Sequence, residues 1–489
     1  MKRFPFLLLF CLLFITTPLF AQNARTLTLQ ESITLAQAQS PLAAIARLDF
    51  RQSQWGYRAY RAQYRPSLAL TGDAPGFRRE IQDVVQDDGS VRYVEQNRTF
   101  MRAGVSVNQP IPMTGGSVFF NSGLSRLNNE LGDNTFTQWQ STPLIVGFNQ
   151  PLMQFNEMKW ERRIEPLRYT FAERTYVEDL EDVSLDITRR FFDVYIAEMN
   201  LDIATFNVAI NDTIFGLSQG RFEIGKIAEN DLLQSELQLL NAQSDESNAR
   251  IAYQEALQDL KLALDLPYDT ELEIVPPEDI PAIRIDPNEA VAQARRNRPA
   301  FLNLDIENVE AERDLARAKR NNSFSADLTA SYGLNQSAPA FDGAYNDPLN
   351  QQALSVSFNV PIFNWGQNKA NVQAAVAAQE RVAQNAALQE KELEQEVYFE
   401  ALQLEQLQQQ VLIAAKADTV AARRFEVAKN RYLIGKIDIT ELFNAQREKD
   451  TARRSYVQTL QQFWTSYFNL RRLTLYDFVR NQSLTGRVQ

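Results

Sequence analysis

Histidine is absent from this chain of 489 residues, and cysteine occurs once, as Cys11. The lack of histidine excludes Ser-His-Asp and Cys-His catalysis and every histidine-ligated metal site. A single cysteine can form neither a disulfide framework nor a thiolate zinc site. Only 18 glycines and 19 prolines occur, which indicates long elements with few turns. With 44% hydrophobic and 23% charged residues, the composition is that of a folded protein rather than a disordered one.

The remaining polar residues do not form a recognisable active site. Carboxylate pairs such as Glu307 and Glu310 are expected by chance among 61 acidic residues, and they lack the features of a pocket. The Gly115-Gly116 pair lies between strand patterns rather than before a helix, so no phosphate-binding loop is predicted. We therefore expect a protein that is not an enzyme and that needs no cofactor or metal.

Residues 1–21 have the pattern of a secretory signal peptide. Lys2 and Arg3 precede an apolar run at positions 6–15, and Ala21 supplies a small residue at a cleavage point. A membrane anchor is the weaker interpretation, because the run is short and is followed by two threonines and a proline. Cleavage removes two positive charges and changes the net charge from −11 to −13, so we expect no nucleic-acid binding. No later apolar run reaches about 18 residues, so no transmembrane helix is predicted.

The rest of the chain contains an internal repeat. Residues 33–71 align without gaps on residues 291–329, at an offset of 258. Two further blocks align at an offset of 210, and they are residues 146–152 on 356–362 and residues 221–227 on 431–437. Gapless matches over this distance indicate a duplication. Because the two offsets differ by 48, the first copy contains 48 additional residues.

The duplication predicts the domain organisation of the chain. The segments are a signal peptide at 1–21, a first repeat at 22–265, a linker at 266–287, a second repeat at 288–477 and a C-terminal tail at 478–489. Each repeat is predicted to contain a helix, strands, a long helix, a sharp turn and a further helix. The fold class is therefore mainly α with a smaller β portion.

Strand patterns occur at corresponding places in both copies. Apolar and small polar residues alternate with a period of two at 101–108, 144–149, 327–334 and 354–360. Residues 116–125 and 66–71 are weaker strand candidates. Runs of about 9–10 residues are long enough for a tilted strand to cross a bilayer. The alternative is one face of a soluble β-sandwich, which is disfavoured because the flanking helices leave no second sheet to cover the apolar side.

Helix patterns occupy most of the remaining sequence. The predicted helices are residues 31–65, 156–222, 229–264 and 367–432. At ~1.5 Å per residue, each of the two long helices would reach roughly 100 Å. A near-heptad seam in the second long helix contains Leu393, Val397, Leu404, Leu407 and Val411, and further apolar residues outside it include Leu388, Leu402 and Phe425. More than one apolar stripe on a helix favours a helical barrel over a two-stranded coil.

This pattern resembles the TolC-like outer-membrane efflux family over nearly the whole mature chain. The most specific features are the paired Arg-aromatic-x-Ile-Gly-Lys-Ile turns at 221–227 and 431–437, and the Asn-Gln-Pro strand ends at 108–110 and 149–151 are weaker. The resemblance implies a homotrimer in which the subunits share one membrane β-barrel and one long periplasmic α-helical barrel. It implies an exit duct in outer-membrane lipid that binds a periplasmic adaptor (membrane fusion) protein and serves an inner-membrane transporter.

One feature departs from the family pattern. Family subunits commonly contribute four strands, so the 48 additional residues of the first copy imply either an added strand pair or a surface or plug hairpin. The sequence leaves these alternatives open.

The resemblance also assigns roles to residues near the two glycine turns. The turns would form the periplasmic tip where the adaptor docks, and the docking residues are Ile224, Gly225, Lys226, Ile227, Ile434, Gly435, Lys436 and Ile437. A glycine with positive φ at a helix end explains the glycines without any docking function. Isoleucines exposed on both sides of each glycine would instead indicate a docking surface.

A periplasmic gate is the second site that the resemblance implies, and its residues are Asp231, Tyr432, Glu441 and Asn444. Two acidic ring positions of the family correspond to Glu441 and Asn444, so one acidic ring remains. Tyr432 and Asp231 match two members of a tyrosine, aspartate and arginine contact that closes the tip. Ile437 occupies the arginine position, and the adjacent lysine is a possible substitute. A solvated helix face is the alternative for each gate residue.

A different class of function uses the same long helices. A periplasmic structural or adaptor-like coiled-coil protein would never enter the membrane, and it would not need four strands of bilayer length at matched positions of two repeats. Fractionation separates the two hypotheses, since a duct stays with outer membranes after carbonate or salt washing and the coiled-coil protein washes off.

Overall fold

The structure is a computed structural model that describes residues 25–131, 134–277 and 280–487. The predicted signal peptide and the last two residues of the predicted tail lie outside the described residues. The first repeat contains β1 (Arg25–Thr28), α1 (Leu29–Gln39), α2 (Pro41–Ala62), β2 (Ser67–Val85), β3 (Val91–Ile111), β4 (Gly116–Leu131), β5 (Asn134–Leu152), α3 (Glu157–Glu223) and α4 (Glu229–Ala263), and β6 (Leu272–Val275) lies in the predicted linker. The second contains α5 (Pro287–Asn297), α6 (Pro299–Asn321), β7 (Ser325–Ala338), β8 (Leu349–Asn359), α7 (Gln367–Leu433), α8 (Ile439–Thr474) and β9 (Tyr476–Asp477), and β10 (Gln482–Ser483) lies in the predicted tail.

The predicted mainly α fold with a duplicated plan is confirmed. About 61% of the described residues are helical, which leaves the sheet as the smaller part. The long helices α3 and α7 both contain 67 residues, and their first residues are 210 positions apart. The strands β2 and β7 begin 258 positions apart. Both sequence offsets therefore recur as element boundaries.

The predicted helix at 31–65 is wrong as a single element, because it is two helices that meet at Ser40. The ψ of Ser40 is 151°, as expected where the ring of the following proline disfavours the α conformation. Ser40 Oγ accepts a hydrogen bond from the backbone N–H of Ala43 at 3.1 Å, so it caps the second helix. The same break recurs in the second repeat before Pro299. By contrast, Pro166 lies inside α3 without ending it.

The chain forms two compact units, each built from three segments. The helical unit comprises the described residues of Met1–Ala44, Leu180–Arg284 and Gln403–Asn469. The sheet unit comprises Ile45–Asp179, Ile285–Leu402 and Leu470–Gln489, again for the described residues. In the helical unit, strands β1 and β6 pair in parallel.

The sheet unit contains one six-stranded sheet in the order β2-β3-β4-β5-β7-β8. Every neighbouring pair is antiparallel. Since β2 corresponds to β7 and β5 corresponds to β8, the additional residues of the first repeat supply β3 and β4. The extra segment is therefore a strand pair of the sheet, between strands of the duplicated plan.

The strands are longer than the alternating runs predicted, and the two weaker candidates are both strands. β3 has 21 residues and β5 has 19. Residues 116–125 lie within β4, and most of residues 66–71 lie within β2. Polar residues extend each strand beyond its alternating apolar part. Within the residues that the structure describes, every helix is too short or too polar to cross a membrane.

Candidate docking tip and gate

The two glycine turns join the long helices to the helices that follow, and both lie in the helical unit. Gly225 has a φ of 69° and Gly435 a φ of 74°. In the first turn the N–H of Gly225 donates to the carbonyl of Phe222, and the N–H of Lys226 donates to the carbonyl of Arg221, both at 2.8 Å. The corresponding hydrogen bonds form at the second turn, each at 2.9 Å. This pair of bonds is a Schellman motif, which ends a helix with a left-handed residue.

The expectation that isoleucines are exposed on both sides of each glycine is correct for one side only. Ile224 and Ile434, which precede the glycines, are 68% and 67% exposed. Ile227 and Ile437, which follow them, are half-buried, and Ile437 packs against the core of the unit. The difference arises because the chain turns back toward the core immediately after the glycine. Exposed apolar surface is therefore concentrated at the helix ends before the glycines.

A compact core lies directly behind the second turn. Its buried residues come from three helices, and most of their side chains are aliphatic. They are Ile214, Phe425, Ala428, Tyr432, Ile439, Leu442 and Ala445. Leu442 is fully buried, and Phe425 is 1% exposed. The core packs α3 against α7 and α8, so it holds the two turns in a defined arrangement.

Tyr432 is part of that core rather than a surface residue. Its side chain is 4% exposed, and its hydroxyl lies 3.3 Å from Ser218 Oγ. The Arg221 guanidinium lies 5.0 Å from the centroid of its ring. The same guanidinium donates to the backbone carbonyls of Tyr432 and Leu433, at 3.2 and 3.1 Å. Arg221 from the first turn therefore binds the second turn directly.

Among the described residues, the cation that contacts Tyr432 is Arg221, whereas Lys436 is exposed at the turn and its substitution for the arginine stays a prediction. Asp231 lies half-buried in the first turn of α4, and the side-chain groups that bond to Tyr432 are the Ser218 hydroxyl and the Arg221 guanidinium. Sequence reasoning missed this role of Arg221, although the arginine belongs to the duplicated motif. Its partner lies 211 positions away along the chain, so local pattern could not reveal the contact.

The duplicated motif is used differently in the two turns. Phe222 corresponds to Tyr432, but it is 39% exposed whereas the tyrosine is buried. Arg431 corresponds to Arg221, but it lies 4.0 Å from Glu441 of its own hairpin. The first turn thus supplies the cation, and the second turn supplies the buried ring.

The two predicted ring residues lie close together on α8. Glu441 is exposed, and Asn444 is half-buried. The side-chain oxygen of Asn444 accepts a hydrogen bond from Arg447, three residues later. Residues spaced i, i+3 share a helix face, so this face presents one carboxylate, one amide and then a guanidinium.

Side-chain hydrogen bonds between polar residues join α3 and α8 farther from the glycine turns. Asn207 donates to Asp450 and accepts from Gln446, both at 2.8 Å. Arg454 donates to Asn200 at 3.0 Å. Among the described residues, no group of three or more cysteine or carboxylate side chains is arranged to hold a metal ion. These amide, guanidinium and carboxylate groups can contact polar solutes.

Comparison with known proteins gives a family match in sequence and fold matches among solved structures. The sequence profile described as Outer membrane efflux protein matches residues 32–265 and 290–474. No curated protein matches the chain in sequence. Among solved structures, the Campylobacter jejuni CmeC outer membrane channel gives a TM-score of 0.66 at 15% identity, covering 91% of this chain and 85% of that one. The Vibrio cholerae outer membrane protein VceC gives 0.64 at 13% identity, covering 92% and 95%. These identities are low, so the structural likeness establishes the fold.

Proposed function

Because the chain belongs to the outer membrane efflux protein family, we propose that it is the exit duct of a tripartite export system, with an adaptor docked at the two glycine turns. Family membership gives the coarser statement directly: the protein is an efflux channel of the outer membrane with a periplasmic helical part, and it is not an enzyme. The alternative of a periplasmic coiled-coil protein that never enters the membrane is therefore wrong.

The observation that supports docking is the pair of exposed isoleucines at the turns. Ile224 and Ile434 each precede a glycine with positive φ, and each exposes about two thirds of its surface. The residues around them are not disordered loops but Schellman turns held by Arg221. A fixed apolar side chain that water surrounds is a suitable anchor for a partner protein.

The proposed complex has three kinds of protein. Three copies of this chain form the duct, a periplasmic adaptor (membrane fusion) protein binds its tip, and an inner-membrane transporter supplies the energy. The sheet contacts outer-membrane lipid, and the helices extend into the periplasm.

A pair of substitutions tests the docking surface. Ile224→Ser combined with Ile434→Ser removes the apolar anchors and leaves the glycines and Arg221 in place. We expect export and adaptor cross-linking to fall at least tenfold, with unchanged outer-membrane level and thermal stability. Ile251→Ser is the matched control, since Ile251 is 55% exposed on α4 away from both turns. Normal adaptor cross-linking by the double variant would disprove the tip assignment.

A further inference from the structure

The inserted strands carry the same two-faced pattern as the strands of the duplicated plan. One row of directly opposed residues is apolar on five strands and ends at a polar residue on β8; it consists of Leu68, Val107, Phe120, Val146, Tyr332 and Gln352. The next row on the opposite face consists of Ala69, Ser106, Asn121, Ile145, Gly333 and Gln351. Directly opposed residues lie on the same face of a sheet. One face of the sheet is thus apolar across β3 and β4 as well, and the other is mainly small and polar.

That apolar face is open to the surroundings on the outermost strands as well as on the inserted ones. Leu68 on β2 is 73% exposed and Leu354 on β8 is 76% exposed, and on the inserted pair Val105 and Phe120 are 42% and 41% exposed. A plug or surface hairpin would have no reason to continue the apolar row of its neighbours. Lipid is the environment that such a continuous apolar belt fits.

Within the part of the chain that the structure describes, the two edges of the sheet are unpaired. All residues of β8 are exposed apart from Gln351, and all residues of β2 are exposed apart from Gly76 and Val84. Unpaired backbone groups are not tolerated in lipid, so a membrane sheet must close on itself or on another copy. With six strands in alternating directions, β8 of one copy runs antiparallel to β2 of the next, as closure requires.

The duplication supplies a template for that closure. Within one chain the two repeats meet where β5 pairs with β7, and Asn149 lies opposite Thr329. By the repeat offsets, Asn149 corresponds to Asn359 on β8, 210 positions later. Thr329 corresponds to Thr71 on β2, 258 positions earlier. The residue types are the same at both places. Both asparagines follow a phenylalanine, and both threonines follow a leucine.

We propose that β8 of one subunit pairs with β2 of the next with Asn359 opposite Thr71, and that all six strands enter the wall, so that three subunits close an 18-stranded barrel. This inference rests on the trimeric outer-membrane channel proposed above. At equal tilt and strand spacing, 18 strands enclose a barrel about one and a half times as wide as the 12 strands that four per subunit would give. The wall is therefore wide enough for a water-filled pore.

Cysteine cross-linking tests the seam, and the chain suits it because its single cysteine lies in the predicted signal peptide. Thr71→Cys with Asn359→Cys places two thiols directly opposite across the proposed seam, within disulfide range. Oxidation in outer membranes should convert the protein into a covalent trimer on non-reducing gels. Thr71→Cys with Ser355→Cys is the control, since it lies on the same face but four residues out of register. A covalent trimer from the control instead, or from neither variant, overturns the register.

Lipid quenching tests the strand count. A fluorophore on Val105→Cys or Phe120→Cys should lose fluorescence in brominated lipid as much as one on Leu354→Cys, which lies in the duplicated set. Labels on Ser106→Cys and Asn121→Cys should lose none. If only Leu354→Cys is quenched, the inserted strands lie outside the wall and the 18-stranded barrel is wrong. If Leu354→Cys is not quenched either, the outer-membrane channel itself is wrong.

Discussion

At the scale of single residues, Arg221 has the largest structural role at the tip. It donates to two carbonyls of the second turn and lies over the buried ring of Tyr432. Both bonds come from one guanidinium nitrogen, and hydrogen bonding from a charged donor contributes about 1.5–3 kcal/mol to stability. The contact therefore holds the two hairpins together more firmly than an exposed ion pair could.

Arg221→Met should loosen the tip. We expect the free energy of unfolding to fall by about 2 kcal/mol and single-channel conductance in a planar bilayer to rise. Arg431→Met is the control, because Arg431 only approaches the exposed Glu441 at 4.0 Å, a contact worth about 0–1 kcal/mol. Equal effects of the two substitutions would contradict the role assigned to Arg221.

The prediction for the gate concerns Glu441 and Asn444. If their shared face lines the pore, three copies place three Glu441 carboxylates close together, and such a ring attracts cations. Glu441→Gln should abolish cation preference and block by divalent ions, whereas Asn444→Asp should strengthen the block. Single-channel recording in mixed salts measures both. Unchanged selectivity in both variants would place Glu441 on an ordinary solvated face.

Glu198 gives the protein a pH-dependent stability. Burial raises the pKa of its carboxyl, and the nearby Asp202 and Glu273 raise it further. The folded chain therefore holds this proton more tightly than the unfolded chain. The resulting stabilisation is complete below the unfolded pKa and is lost as the pH rises through the folded pKa.

Glu198→Gln cannot ionise and should therefore raise the Tm at pH 8 while leaving it nearly unchanged at pH 4. Differential scanning calorimetry at the two pH values measures the difference. Glu236→Gln, at an exposed position of α4, controls for the loss of one charge. A larger gain at pH 4 than at pH 8 would reverse the sign and disprove this account.

At the scale of elements, the long helices present two kinds of apolar residue. Val397, Leu404, Leu407 and Val411 of the predicted seam are all at most 5% exposed. Other residues of α7, such as Leu388 and Leu412, are more than half exposed. The seam packs within one chain, and the exposed stripe matches what a neighbouring subunit of a helical barrel would cover.

Leu407→Ala and Leu412→Ala should therefore differ in what they weaken. Loss of the buried Leu407 side chain should cost about 2–5 kcal/mol of subunit stability. Loss of Leu412 should leave subunit unfolding nearly unchanged and lower the temperature at which the trimer dissociates on gels. If Leu412→Ala lowers subunit stability as much as Leu407→Ala, the exposed stripe has no role between subunits.

The elements that the sequence predicts best are those defined by period and duplication. The long helices were expected at 156–222 and 367–432, and they occupy Glu157–Glu223 and Gln367–Leu433. The break at Ser40 was missed because the apolar periodicity continues across it. The burial of Ile437 and the partner of Tyr432 depend on residues far away in the chain, so no local pattern contains them.

At the scale of the whole molecule, the proposed channel needs more than one chain. Among the described residues, the sheet of one chain has two unpaired edges and an exposed apolar face. Unpaired strand edges are unfavourable in lipid, and a closed ring of subunits in the membrane would pair the edges and place the apolar face against lipid. The duplicated helices place two turns on each subunit, so a trimer would offer six turns to its adaptor.

Native mass spectrometry of the protein extracted from outer membranes in mild detergent tests this account most directly. We expect a single species with three times the mass of the mature chain, and the same particles should form conducting pores in planar bilayers. The Thr71→Cys with Asn359→Cys variant should give the same mass after oxidation and denaturation. A monomer that inserts into bilayers and conducts ions without partners would contradict the account.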